Sequence, residues 1–133
     1  WVRARIAEVL PSQRVLVTSH DAFHYLGQAY GIQVKGLQGI STNSESGLKD
    51  RAELVAFIQD RQLKTIFPES SVNAKGIKAV AAEAGVSVSA HELFSDAMGE
   101  PGDTVSLHGE TYDKGTYIGM IKHNVNTIVD GLK

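Results

Sequence analysis

The stretch RVLVTSHDAFHYLGQAYGIQVKGLQGI, residues 14–40, contains a complete strand–helix–strand pattern. Residues 14–18 are a short β-branched run that ends in small polar side chains, and residues 21–30 then repeat apolar side chains at helical spacing. Gly31 is a typical C-terminal stop for that helix, and residues 32–40 have strand character that two glycines weaken. Because the connecting helix is long enough for a crossover, the stretch predicts a parallel βαβ unit.

The alternation of strand and helix continues to the end of the chain. We therefore predict an α/β fold with three layers, α/β/α, around a four-stranded parallel sheet. Residues 97–115 are rich in Gly, Asp, Glu and Thr and are predicted as a long loop. Further helices are predicted over residues 1–10, 48–62, 74–84 and 116–132, and further strands over residues 65–67 and within 86–94.

The composition narrows the class of protein. The chain has 133 residues, which corresponds to one domain, and 42% of them are hydrophobic, which is enough for a core. A formal net charge of -2 gives no basic surface, so nucleic acid is disfavoured as a partner. There is no cysteine, which excludes disulfides, cysteine zinc sites and a thiol nucleophile.

Polar groups suited to binding follow the predicted strands. In an open parallel sheet, ligands bind beyond the carboxyl ends of the strands. This rule selects four stretches, of which three contain an ionisable group: His20, Glu69 and Asp96. One imidazole with one or two carboxylates suits a divalent ion of the zinc, manganese or iron type but does not complete a site. The alternative is that His20 and Asp96 cap the helices that follow them. The selected stretches are residues 18–21, 39–42, 68–71 and 94–96.

Two further motifs have weaker interpretations. Residues 20–24, HDAFH, resemble the HExxH motif of zinc proteases, but His20 falls at a predicted strand-to-helix turn and cannot share a helix face with His24. A metalloprotease is therefore disfavoured, and His24 is predicted as a partly exposed helix residue. The turn STNSESG, residues 41–47, lacks both common phosphate-loop patterns, and its side chains, like those of residues 70–71, are predicted to cap helices. Of the other histidines, His91, His108 and His123, none is predicted to form a site, and the imidazole at 108 is predicted to be solvated.

Five segments resemble one known family when they are taken together. They are VLVTSHDAFHYLGQAYG, GLQGISTNSESG, IFPESSVNAK, ELFSDAMG and GTYIGMIKHNVNTIVDGL, and they occur in this order between residues 14 and 132. They resemble the C-terminal lobe of the zinc/manganese-binding solute receptors of bacterial ABC transporters. In that family two α/β lobes are joined by a long rigid helix, and one Zn(II) or Mn(II) is held between them by two ligands from each lobe.

The resemblance implies a role for each candidate residue. His20 and Asp96 match the two metal ligands of the C-terminal lobe, and a histidine at the first position favours zinc slightly over manganese. Glu69 matches the family's glutamate and is expected to orient a ligand or a loop through a hydrogen bond. Residues 1–10 would be the tail of the inter-lobe helix, and residues 14–133 would be the C-terminal metal-binding lobe.

The resemblance also implies partners and a location. Two further ligands are expected from the N-terminal lobe, which this chain does not contain, and the metal would be handed to an ABC permease without a chemical step. The protein is expected in the periplasm or at the cell surface as a lipoprotein. Two alternatives stay open: a small metal-dependent hydrolase that uses His20, Asp96 and Glu69, and an anion-binding flavodoxin-like module that uses the serine-rich turns.

Overall fold

The computed structural model describes residues 1–39 and 47–133, and the predicted α/β class is confirmed. The predicted polar turn at residues 41–47 and the predicted strand end at 39–42 fall almost entirely outside the described residues. The helices are α1 (Val2–Ile6), α2 (His24–Tyr30), α3 (Leu48–Asp60), α4 (Lys75–Ala84) and α5 (Tyr117–Leu132). The strands are β1 (Val15–His20), β2 (Gln33–Gln38), β3 (Thr65–Ile66), β4 (Ser87–Val88), β5 (Thr104–Leu107) and β6 (Glu110–Asp113).

The parallel part of the sheet consists of two pairs of strands. β1 pairs with β2 along its length, and β3 pairs with β4 over two residues each. A parallel bridge between Thr18 and Phe67 joins the two pairs, so the strands lie in the order β2, β1, β3, β4. The prediction of one continuous four-stranded sheet is not confirmed in that detail, because the two pairs meet at this bridge alone in the described part of the chain. Pro68, which has no N–H to donate, follows directly after the bridge.

Helices cover both faces of these strands, which gives the three predicted layers. Neighbouring residues of a strand point to opposite faces, so Leu16 packs with α1, α2 and α5 while Val17 packs with α3 and α4. Phe67 and Ile66 divide in the same way between the two clusters. All six residues of β1 are buried, as expected for a parallel strand that is covered on both faces.

The region between residues 97 and 115 differs from its prediction. In place of a long loop it contains an antiparallel hairpin, in which β5 pairs with β6. His108 and Gly109 form the turn with φ of 52° and 77°, values typical of a tight two-residue hairpin turn. The His108 imidazole is exposed, as predicted, and its Nε2 lies 2.9 Å from the Asp130 carboxylate on α5, so the hairpin is attached to that helix.

The first helix is shorter than predicted and is also attached to α5. It ends at Ile6, and the Arg5 guanidinium donates to Asn126 Oδ1 at 2.8 Å and to Asp130 at 3.1 Å. Glu8 forms an ion pair with Lys133. The segment around α1 is therefore held against the last helix. Among the helices of the described residues, none combines the length and the apolar character that a membrane span requires.

His123 on α5 is a buried imidazole. Its Nε2 lies 2.9 Å from the Glu92 carbonyl oxygen, to which it can donate, and its ring packs against the ring of Phe94. Burial lowers the pKa of His123, since the charged form loses its water. The hydrogen bond to Glu92 acts in the opposite direction on this pKa, and among nearby charges Lys114 and His91 lower it while Asp103 raises it.

The lowered pKa of His123 predicts a loss of stability in mild acid. The unfolded chain binds a proton at about pH 6.5 and the folded chain only at lower pH, so the free energy of unfolding should fall as the pH drops through that range. The contribution is at most about 1.4 kcal/mol per pH unit for one proton. Urea denaturation between pH 5 and 8 would measure it. His123→Gln, which can still donate to the Glu92 carbonyl, should flatten this dependence, and an unchanged slope in that variant would contradict the assignment.

Candidate metal centre

His20 is the last residue of β1, and its side chain is 2% exposed. The neighbouring strand β2 approaches it closely at Gly36. A Cβ atom at this glycine would lie 2.7 Å from the backbone nitrogen of Asp21 and 2.8 Å from the carbonyl carbon of His20, so any larger residue would push the strands apart. Gly36 makes residues 32–40 a weaker strand prediction, but its lack of a side chain is what lets β2 pair closely with β1 beside His20.

Glu69 holds His20 from the interior of the protein. Its side chain is fully buried, and Oε2 accepts a hydrogen bond from the His20 backbone N–H at 2.6 Å. The other carboxylate oxygen, Oε1, lies 2.8 Å from Nδ1 of the imidazole. Within the described residues, Oε1 and Nδ1 form no hydrogen bond with each other or with any other group, so the contact between them is electrostatic. Burying a carboxylate without polar partners raises the free energy of the folded protein. The partners of the Glu69 carboxylate are two nitrogen atoms of one residue, His20.

The contact with Glu69 decides which ring nitrogen of His20 is available. Nε2 points to the other side of the ring, where it donates a hydrogen bond to Oδ2 of Asp96 at 3.1 Å. When an ion replaces that proton, the negative charge of Glu69 beside Nδ1 would favour the ring proton on Nδ1 and leave the lone pair of Nε2 for the metal, the arrangement common in metal-binding histidines. The Asp96 side chain is 59% exposed, so this side of the imidazole opens to the surface.

The distance between the two outer donor atoms suits a shared ion. Two ligands with bonds of about 2.1 Å to a tetrahedral Zn(II) stand roughly 3.4 Å apart. Nε2 of His20 and Oδ2 of Asp96, at 3.1 Å, are close to this spacing. His20 and Glu69 follow neighbouring strands, β1 and β3, and β2 lies on the far side of β1. The contact is therefore at the point where the strand order reverses, which is the usual ligand position in such sheets.

The helix-capping alternative does not fit the structure. Helix α2 begins at His24 after Phe23, with no side-chain cap, so His20 caps nothing. After Asp96 the chain enters the hairpin, and the next described helix is α5, which is capped by Thr116. The prediction that residues 70–71 cap a helix is also wrong for Ser71, whose hydroxyl lies 2.7 Å from that of Ser95.

The three predicted residues form a row with His20 in the middle. Glu69 and Asp96 contact opposite nitrogens of the ring, so all three cannot bind one ion together. Within residues 1–39 and 47–133, no group of three or more His, Cys, Asp or Glu side chains is arranged to hold a metal. His24 is exposed on α2 and lies outside this row, as predicted. The sequence did not identify Asn124, which is one of several polar residues buried on the last helix.

Known proteins resemble the chain along its whole length. The family model described as ZnuA, zinc-uptake complex component A, periplasmic, matches residues 1–131. The manganese-binding lipoprotein MntA of Bacillus subtilis is 49% identical over 137 residues, which cover 100% of this chain and 42% of that protein. The zinc-binding protein TroA of Treponema pallidum is 49% identical over 136 residues, which cover 99% of this chain and 41% of that protein.

A solved structure extends the similarity to the fold. The periplasmic zinc-binding protein TroA from Treponema pallidum superimposes with a TM-score of 0.88 and 45% sequence identity, over 98% of this chain and 46% of that one. The chain therefore spans less than half the length of these relatives. The family model and both relatives match almost every residue of the chain, from the first helix to the last. The chain belongs to the family of the periplasmic zinc-uptake component A.

Proposed function

We propose that this chain is the C-terminal lobe of a solute receptor that captures Zn(II) or Mn(II) for import through an ABC permease, without a chemical step. The observation that carries the proposal is the pair of outer donor atoms, His20 Nε2 and Asp96 Oδ2, which stand 3.1 Å apart. Residues 14–133 would form the lobe, and residues 1–10 would form the tail of a helix that leads to the other lobe. The family match and the metal named for each relative support this reading.

The donor set is half of a site. One imidazole and one carboxylate supply two ligands, whereas Zn(II) usually takes four and Mn(II) more. The remaining ligands would come from the N-terminal lobe, which would close over the exposed side of His20. One similar protein is named for manganese and another for zinc, and a nitrogen donor at position 20 favours zinc slightly.

Each of the three residues would have a separate task in capture. Asp96 would bring a negative charge to the exposed surface, where an arriving cation first meets the lobe. His20 would add a nitrogen ligand in a fixed orientation, and Glu69 would hold its backbone and ring from the buried side. Since no bond is made or broken, release would require only that the two lobes separate. The word periplasmic in the description of the family model and the word lipoprotein in the name of MntA support a location in the periplasm or at the cell surface.

A metal-dependent hydrolase has less support. It would need a third strong ligand and a general base beside the ion, and Glu69 is the only other carboxylate that contacts His20 in the described residues. Both of its oxygens face His20 from the interior. The relatives that cover the chain are named as binding proteins.

Thermal melting tests whether the site is half of a larger one. In about 10 µM Zn(II), the receptor with both lobes should gain about 8 °C or more in Tm, as expected for an ion far above its Kd. The chain alone should keep its fold without metal, because its two apolar clusters do not depend on the site, and it should gain less than about 3 °C. A chain with both His20→Ala and Asp96→Ala is the control for binding elsewhere.

The outcomes separate the alternatives. A large gain in the chain alone that the double variant abolishes would show a complete site within one lobe and would contradict the half-site. The absence of any gain in the two-lobed receptor, with Zn(II) or with Mn(II), would contradict metal capture itself.

A further inference from the structure

The backbone at Asp96 is held in an unusual conformation. Its φ is 61°, in the left-handed region that few residues other than glycine adopt. The side chain is largely exposed, and the polar contact that the described residues give it is with His20. A residue in this conformation stays there only when the surrounding structure fixes it. The position of this carboxylate must therefore be set by the backbone that precedes it.

The residues before Asp96 are fixed alternately from two sides. The Leu93 N–H donates to the Pro68 carbonyl, and the Leu93 carbonyl accepts from the Ser70 N–H, both at 2.9 Å. The backbone groups of the next residue, Phe94, point in the opposite direction, as they do in any extended strand. In the described part of the chain no further strand pairs with them. This residue would otherwise leave both backbone groups unpaired at a sheet edge.

Asn124 takes the place of the missing strand. Its Oδ1 accepts from the Phe94 N–H at 2.8 Å, and its Nδ2 donates to the Phe94 carbonyl at 2.8 Å. The amide is 5% exposed and sits on the 16-residue helix α5. One step further, the hydroxyls of Ser95 and Ser71 lie 2.7 Å apart. The two residues before Asp96 are thus anchored to a long helix and to the loop after β3.

We propose that Asn124 is a positioning residue for metal capture: it fixes Phe94 so that the Asp96 carboxylate is held beside Nε2 of His20. Asn124 itself touches no metal, since both of its amide groups are used on Phe94. The inference rests on the proposed function, because it assumes that Asp96 is a ligand. It adds a residue on α5, 28 positions after the aspartate in sequence, to the set that determines metal affinity.

The test compares two alanine substitutions on the same helix in the two-lobed receptor. Asn124→Ala removes both side-chain hydrogen bonds to the backbone of Phe94. Asn126→Ala is the matched control, because Asn126 is also buried and also makes two side-chain hydrogen bonds, to Arg5 and Tyr112, away from Asp96. In a Zn(II) titration against a chelating dye, N124A should lose about 10- to 100-fold in affinity and N126A less than about threefold. Melting of the metal-free proteins should show similar losses in Tm for both.

A double-mutant cycle shows whether the effect passes through Asp96. In a receptor that already carries Asp96→Ala, adding N124A should lower Zn(II) affinity by less than about threefold. A loss as large as in the parent receptor would overturn the inference, as would equal losses for N124A and N126A. If D96A alone left the affinity unchanged, the proposed ligand would be wrong, which is a separate failure. Should N124A not fold, N124D and N126D serve for the same comparison, since Asp at 124 still accepts from the Phe94 N–H but cannot donate to its carbonyl.

Discussion

Asp96→Ala and His20→Ala should each lower the Zn(II) affinity of the two-lobed receptor by a factor of about 10² to 10³. The estimate divides the binding free energy of a four-ligand zinc site, about 10–16 kcal/mol, among its ligands at about 1.4 kcal/mol per tenfold change. Each substitution removes one of the two donor atoms that stand 3.1 Å apart. The loss should be similar whether Nε2 or Oδ2 is removed, because each atom is one of the two ligands that this lobe would supply.

His24→Ala is the control for these two substitutions. His24 lies beside the same opening, but it is exposed at the start of α2 and its ring packs at the edge of Tyr25. The affinity of this variant should stay within about threefold of the parent, in the range of ordinary surface substitutions. Competition with a chelating dye, repeated with Mn(II), measures all three variants. Equal losses at the three positions, or none at His20 and Asp96, would refute the ligand assignment.

Glu69→Ala should destabilise the metal-free protein by about 1–3 kcal/mol, since it leaves one buried donor without its acceptor. This donor is the backbone N–H of His20, which donates to Oε2 of Glu69 at 2.6 Å. Urea denaturation at pH 7 in the presence of a chelator measures the loss. A variant as stable as the parent would show that water or a neighbouring group replaces the carboxylate.

Glu69→Gln separates the structural role of Glu69 from its effect on the metal. Gln can still accept from the His20 backbone N–H, so its cost in stability should be smaller than that of alanine. Its amide nitrogen, however, would replace the negative oxygen beside Nδ1, so the ring proton would be favoured on Nε2, where it blocks the atom that faces Asp96. Affinity for Zn(II) should therefore fall about 10- to 100-fold although the protein remains folded. Unchanged affinity in this variant would restrict Glu69 to a purely structural role.

Much of this architecture was predictable from short-range patterns. Residues 14–40 predict a βαβ unit, and β1, α2 and β2 occur within this range. The prediction succeeds because neighbouring residues in the sequence indicate each element: a buried strand, a helix that stops at Gly31 and a second strand. The rule that ligands bind beyond strand ends selected His20, Glu69 and Asp96, and the structure places all three in contact. Topology brings His20 and Glu69 together, since the parallel strands β1 and β3 end at the same edge, whereas Asp96 lies eight residues after β4 and depends on the contacts of the residues before it.

What could not be predicted depends on partners distant in sequence. The hairpin of β5 and β6 has four residues in each strand, and only one of these eight residues, Tyr112, is buried, so its composition resembles that of a loop. Nothing near Asn124 in sequence indicates that its amide pairs with Phe94. Gly36 looks like a weakness in a strand until the backbone of His20 is placed against it.

The left-handed backbone at Asp96 also limits how such a site can vary. Aspartate and asparagine tolerate this conformation far better than glutamate or a β-branched residue, because their short polar side chains can bond locally. Position 96 thus admits few amino acids, while His20 ends a regular strand whose backbone suits any side chain of similar volume. A lobe of this kind can therefore change its preference among metal ions more easily by substitution at position 20, on strand β1, than by substitution at position 96.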